Sequence, residues 1–128
     1  MAAYLVNTNI LVLALRRKQG KWELLRGLVA AGATLGCSAI TIGEVYAGMR
    51  PHERAATEAL LAELDCYDVT IEIARSAGLL RNEWKAQGQT LAPDDTLIAA
   101  TAIAHRLILL TNNRKDFPMP ELNLYPLP

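Results

Sequence analysis

The sequence predicts an α/β fold, with a mostly parallel sheet and helices packed on both of its faces. Three observations carry that reading. Short aliphatic runs alternate with amphipathic stretches along the chain. Residues 107–110 are aliphatic throughout, as expected of a parallel strand buried on both sides. At 128 residues, 52% hydrophobic and 20% charged, the chain is large enough to bury roughly two-thirds of its surface. That balance excludes disorder and predicts a single domain over residues 1–128.

The elements follow in order. Residues 3–6 form a short apolar run halted by Asn7, Thr8 and Asn9, which reads as a strand followed by a helix cap. Residues 10–15 continue as helix, with Arg16, Arg17 and Lys18 suited to its negative C-terminal end. Residues 21–31 give a second helix closed by Gly32, and residues 34–37 a second strand. Ser38 or Thr41 caps the helix that carries Glu44, and Pro51 opens another with Leu60, Leu61 and Leu64 facing inward. Residues 66–69 read as a short edge strand. From Ile71 the spacing of Ile73, Ala77, Leu80 and Trp84 marks an amphipathic helix that ends near Gly88. Pro93 stands in the first turn of a helix running to about His105, and residues 122–125 supply a last strand.

Thirteen basic and thirteen acidic residues cancel, so bulk charge points to neither a nucleic acid nor a membrane. The charges are unevenly placed: residues 1–50 sum to +4, residues 51–95 to −5 and residues 96–128 to +1. Cys37 and Cys66 are too few and too scattered for a disulfide scaffold or a zinc site, and read as free thiols in a core. The first apolar stretch is broken by Asn7, Thr8 and Asn9 with no basic residue before it, unlike a secretory signal. No run approaches the roughly 18 apolar residues of a membrane span. The expected location is cytoplasmic.

In a parallel α/β sheet the ligand site lies beyond the C-terminal ends of the strands. Two such places carry polar residues here: Asn7, Thr8 and Asn9 after the first strand, and Thr111, Asn112, Asn113 and Asp116 after the aliphatic one. Asp95 opens a helix otherwise rich in Ala, Leu and Ile, and Glu44 sits among Ile40, Ile42, Val45 and Tyr46. Each has a structural reading: Asp95 at a positive helix end, Asp116 in a turn, Glu44 paired with an arginine, and Asp94 as a cap. Together they map to one edge of the sheet. Several carboxylates without a His or Cys cluster describe an all-oxygen site for Mg²⁺ or Mn²⁺.

Four segments stand out: Tyr4-Leu-Val-Asn-Thr-Asn-Ile-Leu-Val12, Ser38-Ala-Ile-Thr-Ile-Gly-Glu-Val-Tyr-Ala-Gly48, Asp95-Thr-Leu-Ile-Ala-Ala-Thr-Ala102 and Leu109-Leu-Thr-Asn-Asn-Arg-Lys-Asp-Phe117. They resemble the signature blocks of the PIN-domain ribonucleases, and within these the VapC toxins of toxin–antitoxin pairs. They stand in the family's order and spacing. The resemblance implies a three-layer α/β/α fold and metal-dependent hydrolysis of RNA phosphodiesters, leaving 5′-phosphate and 3′-hydroxyl ends. The family's four acidic positions fall on Asn7, Glu44, Asp95 and Asp116, with Thr8, Thr111 and Asn113 as supporting polar residues. By the same resemblance Asn7, Glu44, Asp95 and Asp116 form the metal site, and a divalent ion eases deprotonation of water and stabilises the phosphorane.

Two positions depart from the family pattern. Asn7 stands where aspartate is usual, and Arg106 where a glycine is common. Losing one carboxylate beside a divalent ion costs several kcal/mol at about 4 kcal/mol per unit-charge pair, so activity should fall at least about a hundredfold. An engineered substitution and a natural, weakly active variant both explain Asn7.

The resemblance also implies a VapB-type antitoxin across the acidic pocket, a homodimer, and contact with operator DNA only through the antitoxin. Arg16, Arg17, Lys18, Lys21 and Arg26, or Arg114 and Lys115, are candidates to grip RNA. His52 and His105 are expected to have no catalytic role. A rival reading is a catalytically dead module that binds antitoxin or RNA. A nucleotide-binding or receiver protein is disfavoured, because no G-x-G-x-x-G or P-loop follows the first strand.

Overall fold

A computed structural model describes residues 2–127. Five strands form one parallel sheet in the order β3-β2-β1-β4-β5, with β1 at Ala3–Val6, β2 at Thr34–Ser38, β3 at Asp65–Tyr67, β4 at Ile108–Leu110 and β5 at Asn123–Leu124. The helices are α1 (Thr8–Leu15), α2 (Lys21–Ala30), α3 (Ala39–Gly48), α4 (Arg54–Ala62), α5 (Ile71–Ala86) and α6 (Pro93–His105). Strand side chains alternate between the faces. Leu5 and Leu109 join the core beneath α5 and α6, around Ile73, Ala77, Leu80 and Ile98. Their neighbours Val6 and Leu110 join the opposite core with Ile10, Leu11, Leu25, Val45 and Leu60 from α1 to α4. The sheet is therefore covered on both faces, and the chain has the three layers the sequence predicts.

Most local signals act as read. Asn7 and Ser38 cap α1 and α3 by accepting from the N–H groups of Thr8 and Ile40. Thr41 is not a cap but fully buried. Gly32 and Gly88 take the positive φ that closes a helix. Pro51 differs: it opens a short 3₁₀ turn, Pro51–Glu53, ahead of α4. Glu53 accounts for that turn, because its Oε1 accepts from the Arg50 N–H at 2.8 Å while its Oε2 accepts from Arg16 Nε at 3.0 Å. The edge strand β3 begins one residue early and ends before Val69. Leu61, Leu64 and Trp84 are only half-buried. Cys37 lies in the core, whereas Cys66, its register partner on β3, is exposed, since an edge strand has one flank uncovered.

Strand order reverses beside β1, whose neighbours β2 and β4 are reached by connections running in opposite directions along the sheet. This is the point where parallel α/β sheets open a crevice at their C-terminal edge. No helix among the described residues is long and apolar enough to cross a membrane.

Candidate active site

The crevice is built first from backbone register. Val6 pairs with Leu110, and the Asn7 N–H donates to the Leu110 carbonyl at 2.9 Å. Asn7 and Thr111 thus leave the sheet side by side. The Asn7 side chain is 5% exposed. Its Oδ1 accepts from the Thr8 N–H at 2.9 Å, and its Nδ2 donates to Thr111 Oγ1 at 2.9 Å. The Asn113 N–H donates to the same hydroxyl at 3.1 Å. Both polar atoms of Asn7 are therefore engaged within the protein.

Thr8 Oγ1 lies 2.6 Å from Glu44 Oε1 and 3.1 Å from Thr41 Oγ1. A hydroxyl has one proton, and the carboxylate is the nearer and stronger acceptor, so Thr8 donates to Glu44 and fixes its orientation. Ser38 starts α3 at the end of β2 and so delivers Glu44 to this edge. Pro93, at the first position of α6, delivers Asp94 and Asp95 there together. Burial pushes the Glu44 carboxyl up; the Thr8 hydrogen bond opposes this, and Asp94, within hydrogen-bond reach, adds to it. Burial also pushes Asp95 up to about 6, reinforced by the negative charges of Asp94, Asp116 and Glu44.

These groups surround a cleft of about 440 Å³. Of the residues singled out from sequence, Asn7, Thr8, Glu44, Asp95 and Asn113 line it. Thr111 is buried beneath, holding Asn7 and Asn113. Asp116 sits in the short 3₁₀ turn Arg114–Asp116 and reaches Asp95 through its charge. Asp94 was expected only as a cap. It does accept from the Asp95 N–H at 3.0 Å, yet it also lines the cleft and presses on Glu44. The signal for this was the Pro93 start, which puts both aspartates in one helical turn.

The arginines are more committed than the sequence suggested. Arg16 forms an ion pair with Glu53, Arg17 lies 3.3 Å above the Trp22 ring, and Arg114 Nη1 donates to the Tyr125 carbonyl at 2.9 Å. Lys18 and Lys115 are exposed. His105 packs against Tyr67 with ring centres 4.6 Å apart, and His52 is exposed on the 3₁₀ turn before α4.

The donor chemistry of the cleft fits a hard divalent cation. Its charged groups are all oxygen acids, with Glu44 and Asp95 raised first by burial and then by their acidic neighbours, and the buried Asn9 Oδ1 beside them has no hydrogen-bond partner. Among the described residues no three His, Cys, Asp or Glu side chains stand together as a ready-made ligand set. A larger cleft of about 540 Å³ lies elsewhere, where α2 and α4 meet the start of β2. It is lined mainly by apolar residues and holds none of these acids.

Known proteins share this fold. The profile of the PIN domain matches residues 4–119, and the chain belongs to that family. Within the family its similarity runs to VapC proteins. Ribonuclease VapC19 of Mycobacterium tuberculosis is 37% identical over 119 residues, 92% of this chain and 95% of that protein. Ribonuclease VapC2 of Rickettsia felis is 29% identical, with 89% of each covered. The crystal structure of VapBC2 from Rickettsia felis, bound to a DNA fragment from its promoter, superposes with a TM-score of 0.84 at 29% identity. It covers 96% of this chain and 97% of that one. A toxin–antitoxin complex from Klebsiella pneumoniae matches with a TM-score of 0.77 at 31% identity, covering 97% and 99%.

Proposed function

We propose that this chain is the endoribonuclease toxin of a VapBC-type toxin–antitoxin pair. The observation that carries the reading is the meeting of Glu44, Asp94 and Asp95 in one cleft of a PIN fold, with Asp116 outside the cleft lining but near enough for its charge to act on Asp95. Glu44, Asp95 and Asp116 would hold Mg²⁺ or Mn²⁺, with Asp94 adding negative charge. When bound, such an ion supplies charge stabilisation to the phosphoryl group and acidifies water. Thr8 keeps the Glu44 carboxylate aimed into the cleft. Asn113, held through Thr111, stands at the rim where a phosphate oxygen would rest. Similarity to proteins solved as toxin–antitoxin complexes, one of them with promoter DNA, supports a VapB-type antitoxin partner and DNA contact through that antitoxin; a homodimer belongs to the same proposal.

Asn7 weakens the reaction. It keeps the shape of aspartate but removes one charge from the group that attracts the cation. The surrounding network accepts the acid: Thr111 is a hydroxyl and can donate to a carboxylate where it now accepts from the amide. The missing charge at Asn7 favours a second reading, a binding module that captures antitoxin or RNA without cutting. Cleavage of a mixed tRNA and rRNA pool in Mg²⁺ or Mn²⁺, against an EDTA blank, separates the two. Asn7→Asp should raise the rate at least about a hundredfold. If both forms cut equally, position 7 is not a metal-site position; if neither cuts, the binding module stands.

A further inference from the structure

A second charged cleft lies at the opposite end of α1 from the acids. It measures about 350 Å³, with Arg16, Arg17 and Lys18 on one side and Arg50, His52 and Glu53 on the other. Glu53 is already satisfied, its carboxylate accepting from Arg16 Nε at 3.0 Å and from the Arg50 N–H at 2.8 Å. Arg16 and Glu53 therefore cancel. Arg17, Lys18 and Arg50 remain, with His52 beside them and no other acid among the described lining residues.

The loop that presents them is held in an unfavourable conformation. Arg17 and Gln19 have φ of 54° and 56°, a left-handed backbone that costs a non-glycine residue about 1–2 kcal/mol. Strain of this kind persists where surrounding contacts impose it, and such places are often functional. Here the contact is Trp22, whose ring carries the Arg17 guanidinium. Arg17 is thus a fixed, flat cation rather than a waving side chain.

The two clefts are joined along the same helices. Thr8 opens α1 at the acids and Arg16 follows its last residue, roughly 12 Å away. On α3 Glu44 faces the acids, and Arg50 lies just past the helix end. Val12 borders the acidic cleft and Leu15 the basic one, with Val45 and Met49 completing the seam between them.

We infer that the cleft of Arg17, Lys18, Arg50 and His52 is a phosphate-binding subsite for single-stranded RNA. It takes the backbone a few nucleotides from the bond held at the acids, and so rests on the ribonuclease function proposed above. The chemistry fits a phosphodiester: a planar guanidinium set in place, a second arginine and an ammonium. Such a contact sets register and affinity without reading sequence.

The test is fluorescence anisotropy of a labelled oligouridine long enough to run the length of α1, in EDTA, across a series of salt concentrations. The native chain is compared with Lys18→Gln/Arg50→Gln and with Arg75→Gln/Lys85→Gln, which removes equal charge from exposed positions of α5 on the other face of the sheet. Melting curves verify that each form is folded. The first variant should bind at least about tenfold more weakly, with a salt slope shallower by about 1.4, two contacts at about 0.7 each. The α5 variant should match the native chain, and a charge-keeping Lys18→Arg/Arg50→Lys form should retain affinity. Equal binding by all forms, or equal loss in both neutralised variants, overturns the subsite and leaves the ribonuclease reading standing. A native chain that binds no oligouridine at the lowest salt likewise overturns the subsite, while metal-dependent cleavage at the acids is read separately in Mg²⁺ or Mn²⁺.

Discussion

Asp95 shows how much a single carboxyl can say about a site. Its pKa lies at about 6 rather than 3.8, because burial and three neighbouring acids disfavour its charge. Between these values the native protein holds a proton that the unfolded chain has released, so stability falls as pH rises from about 4 to about 6. Above about 6 the deficit is complete. Asp95→Asn should therefore flatten that fall and raise the neutral-pH melting temperature in EDTA by roughly a few degrees. The same substitution should reduce RNA cleavage at least about a hundredfold in the Asn7→Asp background. A melting temperature that drops, measured by calorimetry at pH 5 and pH 7, would show Asp95 to be a structural cap. Glu53 behaves in the opposite sense. The Arg16 and Arg50 donors hold it at about 2, so its contribution is present above about 4.5 and lost as pH falls toward 2.

Elements place these residues, and two backbone positions show the constraint. Arg106 ends α6 in the left-handed region with φ 56° and ψ 45°, where a glycine costs nothing sterically. Arg106→Gly should stabilise by about 0.5–1 kcal/mol, the relief of strain less the extra freedom of glycine in the unfolded chain. Urea denaturation checks it, and a loss of stability would mean that the arginine side chain makes an offsetting contact. Gly36, in the middle of β2, is the converse. A Cβ there would stand 2.6 Å from the Tyr67 ring and 2.8 Å from the Asp65 carbonyl. Gly36→Ala should cost about 1–3 kcal/mol by overpacking, seen as a lowered urea midpoint with an unchanged slope.

At the scale of the whole molecule, acids from α3, α6 and the turn after β4 meet only because the sheet is wound in both directions from β1. Their repulsion opposes folding, and a cation that binds only the native state reverses it. Mn²⁺ at a hundred times its dissociation constant should stabilise the protein by about 2.7 kcal/mol. The Asn7→Asp form should melt lower in EDTA and gain more from Mn²⁺. Calorimetry with and without the metal decides the point: no Mn²⁺ shift in either form removes the cation from the site.

The sequence by itself determined the alternation of strands and helices, the presence of a cap after each of the first two strands, and the sheet edge to which Glu44, Asp95 and Asp116 map. Those depend on local propensity, on periodicity and on a rule of parallel sheets. It could not determine what each charge would touch. Asp94 looks like any first-turn acid until α6 is laid beside α3, and Arg16, Arg17 and Arg114 look free until Glu53, Trp22 and the Tyr125 carbonyl arrive from other parts of the chain. The exposure of Cys66 follows from β3 lying at the edge. Tertiary structure decided these matters because pairing and desolvation depend on distance in space, which separation along a chain does not fix.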